Sequence, residues 1–345
     1  MELRLRSKAS LLKPAQLFHS KKAIHLLIVK PLSWRKHLRK KRRQKMRTEK
    51  SYKGVWTALV TPFLEDLSID YTTWDKLILA QKNAGVTGLV ISGSTGEGAT
   101  LTTTEKLSLM KRAKALVGHD LYLMGGIGGS DTAQCIELAK LYEDAGADCL
   151  LVVTPPYNKP SLAGLKIHFQ SIGEKVRIPL CLYHVPGRTG QRLDAYSLSE
   201  LCKIPSIKMV KEASGDLSLF SEALLSSNVL YFSGDDLTYL GSLAYGAAGS
   251  ISVISNLFPK EWVALTEAFS NKNFEKMQSL NRVLFPLNKN MYIEGNPTPL
   301  KACMEMIRLC KGYVRPPLAP VTDENRQKLE ALLQSYKKQT HGFEL

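Results

Sequence analysis

A lysine at the end of a mostly apolar run is the residue with the clearest chemical potential. Lys211 closes the segment Ile207–Lys211 and is followed by Glu212. An amine removed from water has a lowered pKa, and its neutral fraction can attack a ketone to give an iminium. The iminium is an electron sink for making or breaking the adjacent carbon–carbon bond. The segment alone equally allows a structural lysine that pairs with Glu212.

Other polar residues follow similar apolar runs, where further catalytic or binding groups are expected. The turn Gly93–Gly98 is rich in glycine, so backbone N–H groups and hydroxyls could converge there on a small anion. Taken singly these residues are ambiguous, because strand-end tyrosines commonly belong to a core and arginines to surface ion pairs. The candidates are Ser94, Thr95, Tyr157, Tyr183, Arg188, Gly234 and Ile251.

Eight runs rich in β-branched residues alternate with stretches of helical periodicity, which predicts an α/β fold of the (β/α)8 TIM barrel type. Such barrels carry their chemistry at the carboxyl ends of the strands, where the candidates lie. The predicted strands are Val55–Val60, Thr87–Ser92, Leu121–Met124, Cys149–Val153, Pro179–Tyr183, Ile207–Lys211, Val229–Phe232 and Gly249–Val253. The predicted barrel helices are Tyr71–Ala84, Thr104–Val117, Thr132–Ala145, Leu162–Gly173, Tyr196–Lys203 and Leu217–Ser226.

Further helical segments follow the eighth strand and predict a C-terminal helical appendix. We therefore divide the chain into a leader, residues 1–50, a catalytic barrel, residues 51–256, and a C-terminal helical region, residues 257–345. The predicted late helices are Glu261–Ser270, Phe274–Asn288, Pro299–Lys311 and Asp323–Lys338.

The positive charge of the chain is confined to its basic N-terminal extension. Residues 1–50 hold 17 of the 47 Lys and Arg residues and 2 of the 31 Asp and Glu residues, so the remainder is nearly neutral. We interpret this segment as a disordered or untranslated leader, with Met46 as the alternative start. A transit peptide, or an arm that binds nucleic acid or lipid beside an inactive barrel, are the other interpretations. The apolar run Ala23–Val29 is shorter than the roughly 20 residues that span a bilayer.

Neither a metal site nor a disulfide framework is predicted. The six cysteines form no CxxC pair, and the seven histidines form no HxH or HxxxH cluster. We expect reduced core cysteines and no metal.

The combined motifs resemble the pyruvate-dependent class I lyase family that contains dihydrodipicolinate synthase and N-acetylneuraminate lyase. The resemblance covers about residues 52–335 and implies a (β/α)8 barrel whose only covalent group is an imine between a lysine and pyruvate. The segments that carry it are Ala58–Phe63, Gly93–Gly98, Val153–Pro160, Leu182–Gly190, Val210–Gly215, Ser233–Asp236, Gly249–Val253 and Glu294–Lys301.

The resemblance implies a role for each candidate. Lys211 would form the imine, and Tyr183 would be the general acid and base. Tyr157 matches a tyrosine that, in tetrameric members, crosses a dimer interface to complete a proton relay, with Ser94 as the middle hydroxyl. Arg188 would bind the second substrate. The remaining substrate-binding residues would be Thr95, Ile251 and Gly234.

Two residues point to different branches of this family. Arg188 matches the arginine that binds the carboxylate of aspartate semialdehyde in the synthases and that sialic acid lyases generally lack. Ser94 replaces the threonine usual in the synthases, and His184 replaces an asparagine as an expected packing variant. The implied reaction is condensation of pyruvate with aspartate semialdehyde to 4-hydroxy-tetrahydrodipicolinate, in diaminopimelate and lysine biosynthesis. Cleavage of N-acetylneuraminate or of a 2-keto-3-deoxy sugar acid is the alternative.

The resemblance also bears on regulation and assembly. The positions that bind lysine in feedback-inhibited bacterial members have lost a carboxylate and gained an ammonium, so we expect little inhibition by lysine. We further expect a cytoplasmic homotetramer of two dimers, or a plastid enzyme if residues 1–45 are a transit peptide, with no membrane or nucleic-acid partner. The matching positions are Gly98, Thr103, Lys106, Ser130, Gln134 and Pro156.

Overall fold

All eight apolar runs are parallel β-strands, and they pair in sequential order to close one barrel. The computed structural model describes residues 51–340, so the predictions for the leader lie outside the described residues. The strands are β1 (Gly54–Ala58), β2 (Gly88–Ile91), β3 (Tyr122–Ile127), β4 (Cys149–Val153), β5 (Leu180–His184), β6 (Ile207–Glu212), β7 (Leu230–Ser233) and β8 (Gly249–Ser252). The predicted (β/α)8 barrel is confirmed.

Helices surround the barrel and continue beyond it. They are α1 (Tyr71–Ala84), α2 (Thr103–Val117), α3 (Thr132–Asp144), α4 (Leu162–Gly173), α5 (Pro186–Thr189), α6 (Ala195–Cys202), α7 (Leu217–Leu225), α8 (Tyr239–Tyr245), α9 (Pro259–Ser270), α10 (Phe274–Asn290), α11 (Thr298–Met306) and α12 (Asp323–Thr340). In the part of the chain that the structure covers, no helix is both long and apolar enough to cross a membrane. The proposed division at residue 256 stays a prediction.

Local capping explains where several helices begin and end. Asp70 accepts a hydrogen bond from the Thr73 N–H at the start of α1, and Gly85 ends that helix in the left-handed conformation. Thr102 and Glu105 form a reciprocal capping box at the start of α2. These polar and glycine residues fix the helix bounds close to those that the periodicity predicts.

Two predictions about helices were wrong. The helix predicted to reach Lys311 ends at Met306, because Arg308 takes a left-handed conformation and the Leu309 N–H bonds back to the Met304 carbonyl. Helix α8 was missed, since it is short and has no side-chain cap. Its Gly241 weakens the helical pattern, yet a Cβ there would lie 2.6 Å from Leu217.

Alternation along the strands separates two apolar layers. One side chain of each neighbouring pair packs against the helices, and the other fills the barrel interior. The interior layer contains Trp56, Ala58, Val90, Met124, Cys149, Leu151, Cys181, Tyr183, Val185, Met209, Phe232 and Ile251.

Strand β6 breaks this alternation once. Leu180 of β5 pairs with Ile207, but the next residue, Cys181, pairs with Met209, so Lys208 is an extra residue on β6. Ile207 packs in the outer layer, whereas Met209 packs in the interior. Because side chains alternate with a period of two, the bulge moves every later odd-numbered residue of β6 to the inside.

A buried ion pair joins the barrel to the C-terminal helices. Lys301 of α11 is fully buried, and its ammonium donates to the carboxylate of Glu97, which lies in the turn after β2. The same ammonium donates to the Tyr313 carbonyl at 2.8 Å and lies 4.1 Å from the Phe63 ring centroid. Burial lowers the pKa of Lys301, and the Glu97 carboxylate opposes that shift.

Arg315 extends this network. Its backbone N–H donates to Glu97 at 2.9 Å, and its guanidinium binds Glu105 and the Leu67 carbonyl. The hydrogen bonds from Arg315 lower the pKa of Glu105 to about 2. The turn after β2 is therefore held, through Glu97, by two residues that lie more than 200 positions later in the chain.

We predict that Lys301→Met lowers the free energy of unfolding by about 3–5 kcal/mol, because it leaves the Glu97 carboxylate buried without its counter-charge. Urea unfolding at fixed protein concentration measures this. The double variant Glu97→Gln with Lys301→Met should recover part of the loss, because no unpaired charge remains. Lys166→Met is a control that breaks the partly exposed pair with Glu200 and should cost below about 1 kcal/mol. Equal losses in the buried and exposed pairs would contradict the prediction.

Candidate active site

Lys211 and Tyr183 face each other inside the barrel mouth. They are register partners on β6 and β5, and the bulge at Lys208 puts both on the interior side. The Lys211 amine lies 4.4 Å from the centroid of the Tyr183 ring. Both residues are buried, with relative exposures of 5% and 7%. Among residues 51–340, no carboxylate forms an ion pair with Lys211.

Glu212 lies on the opposite side of β6 and pairs with His184 instead. The Leu193 N–H donates to His184 Nε2 at 3.0 Å, so the imidazole proton lies on Nδ1. Nδ1 then donates to Glu212 Oε1 at 3.1 Å. The structural alternative for Lys211, a pair with Glu212, is therefore wrong. His184 therefore links β5 to β6 on the outer side of the barrel, and its hydrogen bonds go to Glu212 and Leu193.

Gly234 provides the space that the lysine side chain occupies. A Cβ at this position would lie 2.7 Å from Lys211 Cε and 2.8 Å from both Lys211 Cγ and Ala213 Cβ. Such distances are shorter than any real contact of a Cβ. Gly234, which we expected among the substrate-binding residues, thus lies against the nucleophile itself.

The turn Gly93–Gly98 brings two hydroxyls to the mouth in different settings. Ser94 is exposed and lines the cavity, whereas Thr95 is only 3% exposed. The Asn296 amide Nδ2 donates to the Thr95 hydroxyl oxygen at 3.0 Å. The turn itself is fixed by Thr61, whose hydroxyl donates to the Gly96 carbonyl at 2.7 Å.

Arg188 lies on the rim, where α5 follows β5. Its guanidinium Nη2 donates to the Asn296 backbone carbonyl at 3.4 Å, a long contact that leaves most of its donors available. A cavity of about 580 Å³ lies between this rim and the turn after β2. Its lining includes Ser94, Glu97, Gly98, Lys106, Gly128, Pro156, Tyr183, Val185, Arg188 and Asn296.

Three predicted residues are placed away from the cavity surface. Lys211 and Thr95 are almost fully buried and do not belong to its lining. Ile251 is completely buried in the barrel interior on β8. The turn after β8 is tied down by Asp236, which accepts from the Val253 and Ile254 N–H groups, and burial raises the pKa of this carboxyl to about 6.

Tyr157 is the one predicted catalytic residue that a single chain does not bring to the site. It is 92% exposed and takes a positive φ of 67° in the turn after β4. Its proposed role requires a partner subunit and stays a prediction.

Sequence reasoning gave no role to Glu97, Asn296 or Lys301. Glu97 and Lys301 lie within segments that carried the family resemblance, but nothing in their spacing indicates that they meet. In the part of the chain that the structure describes, no three His, Cys, Asp or Glu residues are grouped so that they could hold a metal ion.

The fold and the arrangement of Lys211 and Tyr183 indicate a class of enzyme. A (β/α)8 barrel with a buried lysine beside a tyrosine at the carboxyl ends of its strands has the arrangement of a lyase that forms an imine with a carbonyl substrate. Residues 51–336 match the Dihydrodipicolinate synthetase family, and the chain belongs to this family.

Individual relatives agree with that assignment. The chain is 40% identical over 281 residues to the 4-hydroxy-tetrahydrodipicolinate synthase of Methanococcoides burtonii, covering 81% of this chain and 96% of that protein. Dihydrodipicolinate synthase from Acinetobacter baumannii, chloride inhibited and complexed with pyruvate, aligns with a TM-score of 0.81 at 33% identity, covering 83% and 99% of the two chains. The enzyme from Cyanidioschyzon merolae with lysine bound aligns with a TM-score of 0.79 at 32% identity, covering 83% and 98%.

We predict that Gly234→Ala reduces kcat/KM for pyruvate by about 100-fold, because the added methyl must push the Lys211 side chain away by roughly 1 Å, and a misplacement of that size costs about this factor. Steady-state kinetics measure the loss. Gly187→Ala is the matched control, since nothing lies within 4 Å of a Cβ at that position. Wild-type activity in Gly234→Ala would show that the glycine is not needed for the lysine.

Proposed function

We propose that this chain condenses pyruvate with L-aspartate 4-semialdehyde to give 4-hydroxy-tetrahydrodipicolinate, a step of diaminopimelate and lysine biosynthesis. The observation that carries the proposal is the Lys211 amine lying over the Tyr183 ring inside the barrel mouth, without a carboxylate partner among the described residues. The named relatives support the choice of substrates.

Lys211 forms the first covalent bond. Its neutral amine attacks the pyruvate ketone, and the resulting carbinolamine loses one water to give an iminium. Tyr183 gives and takes the protons of these steps, since a phenol can donate and accept. Loss of a proton from the pyruvate methyl group then gives an enamine, which is the carbon nucleophile.

Arg188 selects the second substrate. Its planar guanidinium suits the carboxylate of aspartate semialdehyde, whose aldehyde carbon the enamine attacks. The substrate amine then attacks the imine carbon, closes the ring and releases the Lys211 amine. One water leaves overall, and no oxidant or cofactor is required.

Ser94 and Tyr157 complete the proton path in this proposal. Ser94 and Tyr183 both line the cavity, and the Ser94 hydroxyl can pass a proton in either direction. Tyr157, which is exposed on the single chain, would reach the site of a second copy, so the functional unit would be at least a dimer within a tetramer. The proposed setting is the cytoplasm, or a plastid if residues 1–45 are a transit peptide.

Cleavage of a sugar acid is the alternative that Ser94 supports. The two reactions share the imine, but only the synthase reaction needs a cation that binds a short carboxylate at the rim, where Arg188 lies. We therefore favour the synthase reaction.

The decisive experiment supplies pyruvate and aspartate semialdehyde and couples the product to a downstream reductase. We expect turnover, and Arg188→Lys should raise KM for the semialdehyde by about 10-fold or more, because a bidentate contact is lost. KM for pyruvate should change little. No turnover with this pair, together with cleavage of N-acetylneuraminate or a 2-keto-3-deoxy sugar acid, would refute the proposal.

We also predict that lysine does not inhibit at sub-millimolar concentration. Lys106 lines the cavity and forms no ion pair with a carboxylate among residues 51–340, so a dibasic ligand meets a like charge there. A dose-response curve with Lys106→Ala as comparison measures this. Half-maximal inhibition of the natural protein below 1 mM (on the order of a few kcal/mol of binding free energy) would contradict the prediction.

A further inference from the structure

We infer that Asn296 is a positioning residue for pyruvate, which acts by fixing the hydroxyl of Thr95. This inference rests on the proposed function and on the family resemblance, which implies that Thr95 binds the pyruvate carboxylate. Asn296 lies in the segment between α10 and α11, far from Thr95 in sequence, and it lines the cavity while being only 7% exposed.

The direction of the Asn296–Thr95 hydrogen bond determines what Thr95 can do. Nδ2 donates to the Thr95 oxygen at 3.0 Å, and Oδ1 is buried without a partner among the described residues. With an acceptor bound to the Thr95 hydroxyl, this orientation leaves one N–H and Oδ1 unpaired within residues 51–340. The reversed amide would accept the Thr95 proton and leave two N–H donors unpaired, and buried N–H groups without a partner are rarer than under-satisfied carbonyl oxygens. Asn296 is therefore the donor and Thr95 the acceptor.

A hydroxyl that accepts from Asn296 keeps its own proton available. Within residues 51–340, no group accepts a hydrogen bond from Thr95, and Thr95 is almost fully buried. A carboxylate is an acceptor without protons, so pyruvate bound at this turn would satisfy the donor. Because the Asn296 amide donates to the Thr95 oxygen, the Thr95 hydroxyl remains free to donate a hydrogen bond to a bound anion.

The turn around Thr95 has its own supports, so Asn296 is not needed to hold the backbone. Thr61 binds the Gly96 carbonyl, and the Lys301 and Arg315 network binds Glu97. Changing the Asn296 side chain should alter the hydroxyl while leaving the turn in place. The Asn296 backbone carbonyl also keeps its contact with Arg188 in any side-chain variant.

Asn296→Asp is the sharpest test because the two side chains have the same shape. Above the pKa of the new carboxyl, the side chain accepts the Thr95 proton and places a negative charge beside the pyruvate carboxylate. Below it, the protonated carboxyl donates as the amide does. We expect the pyruvate concentration for half-maximal borohydride trapping to rise about 10-fold or more at pH 8 relative to the natural protein. The ratio should fall back towards one as the pH drops below the pKa of the new carboxyl, which burial and the neighbouring pyruvate carboxylate raise above its ordinary value.

Asn296→Ala removes the amide without adding a titratable group. It should raise the pyruvate concentration for half-maximal trapping at every pH, without recovery in acid. In a Thr95→Val background, Asn296→Ala should add less than about 2-fold, because both act through one hydroxyl. The inference is overturned if Asn296→Asp and the natural protein need the same pyruvate concentration for half-maximal trapping, or if their ratio does not change with pH. It is also overturned if the effects of Asn296→Ala and Thr95→Val are fully additive. Trapping needs no aldehyde, so failure of the natural protein to trap pyruvate would refute the proposed function instead.

Discussion

One extra residue in β6 decides which way the lysine points. Lys208 shifts the strand by one position against β5, and Met209 and Lys211 consequently face the interior. Ile207 faces the helices, and side chains alternate along a strand. Without the bulge, Lys211 would therefore also face the surrounding helices, and Glu212 would face the barrel mouth in its place. The same shift makes Lys211 the register partner of Tyr183, so the proposed pairing of lysine and tyrosine depends on a single backbone irregularity.

The C-terminal helices take part in the site, although they lie outside the barrel in sequence. Lys301 and Arg315 hold Glu97 and so fix the turn after β2 from this region, and Asn296 binds the Thr95 hydroxyl in the same turn. A lysine imine needs a carbonyl substrate in one orientation, and the turn that would bind its carboxylate has little freedom to move. The late part of the chain supports the side of the mouth proposed to bind substrate, while β6 carries the lysine proposed as the nucleophile.

Much of this could be predicted from the sequence, because strands buried on both faces and well-capped helices leave strong local patterns. The strands were located to within a few residues, and the motifs singled out Lys211, Tyr183 and Arg188, whose roles stay predictions. The bulge at Lys208 could not be predicted, since one extra residue in a short strand leaves no pattern that fixes the register against the neighbouring strand. The Glu97–Lys301 pair could not be predicted either, because contacts across 204 residues depend on the closed fold. Tyr157 marks the remaining limit, because its proposed contact needs a second chain.

The most direct test of this account is to identify the lysine that pyruvate modifies. The protein is incubated with pyruvate, reduced with borohydride and digested, and the peptides are mapped by mass spectrometry. The account predicts one adduct, on Lys211, and none on the neighbouring Lys208, which faces away from the interior. An adduct on Lys208, on Lys301 or on any other lysine, with Lys211 unmodified, would contradict it.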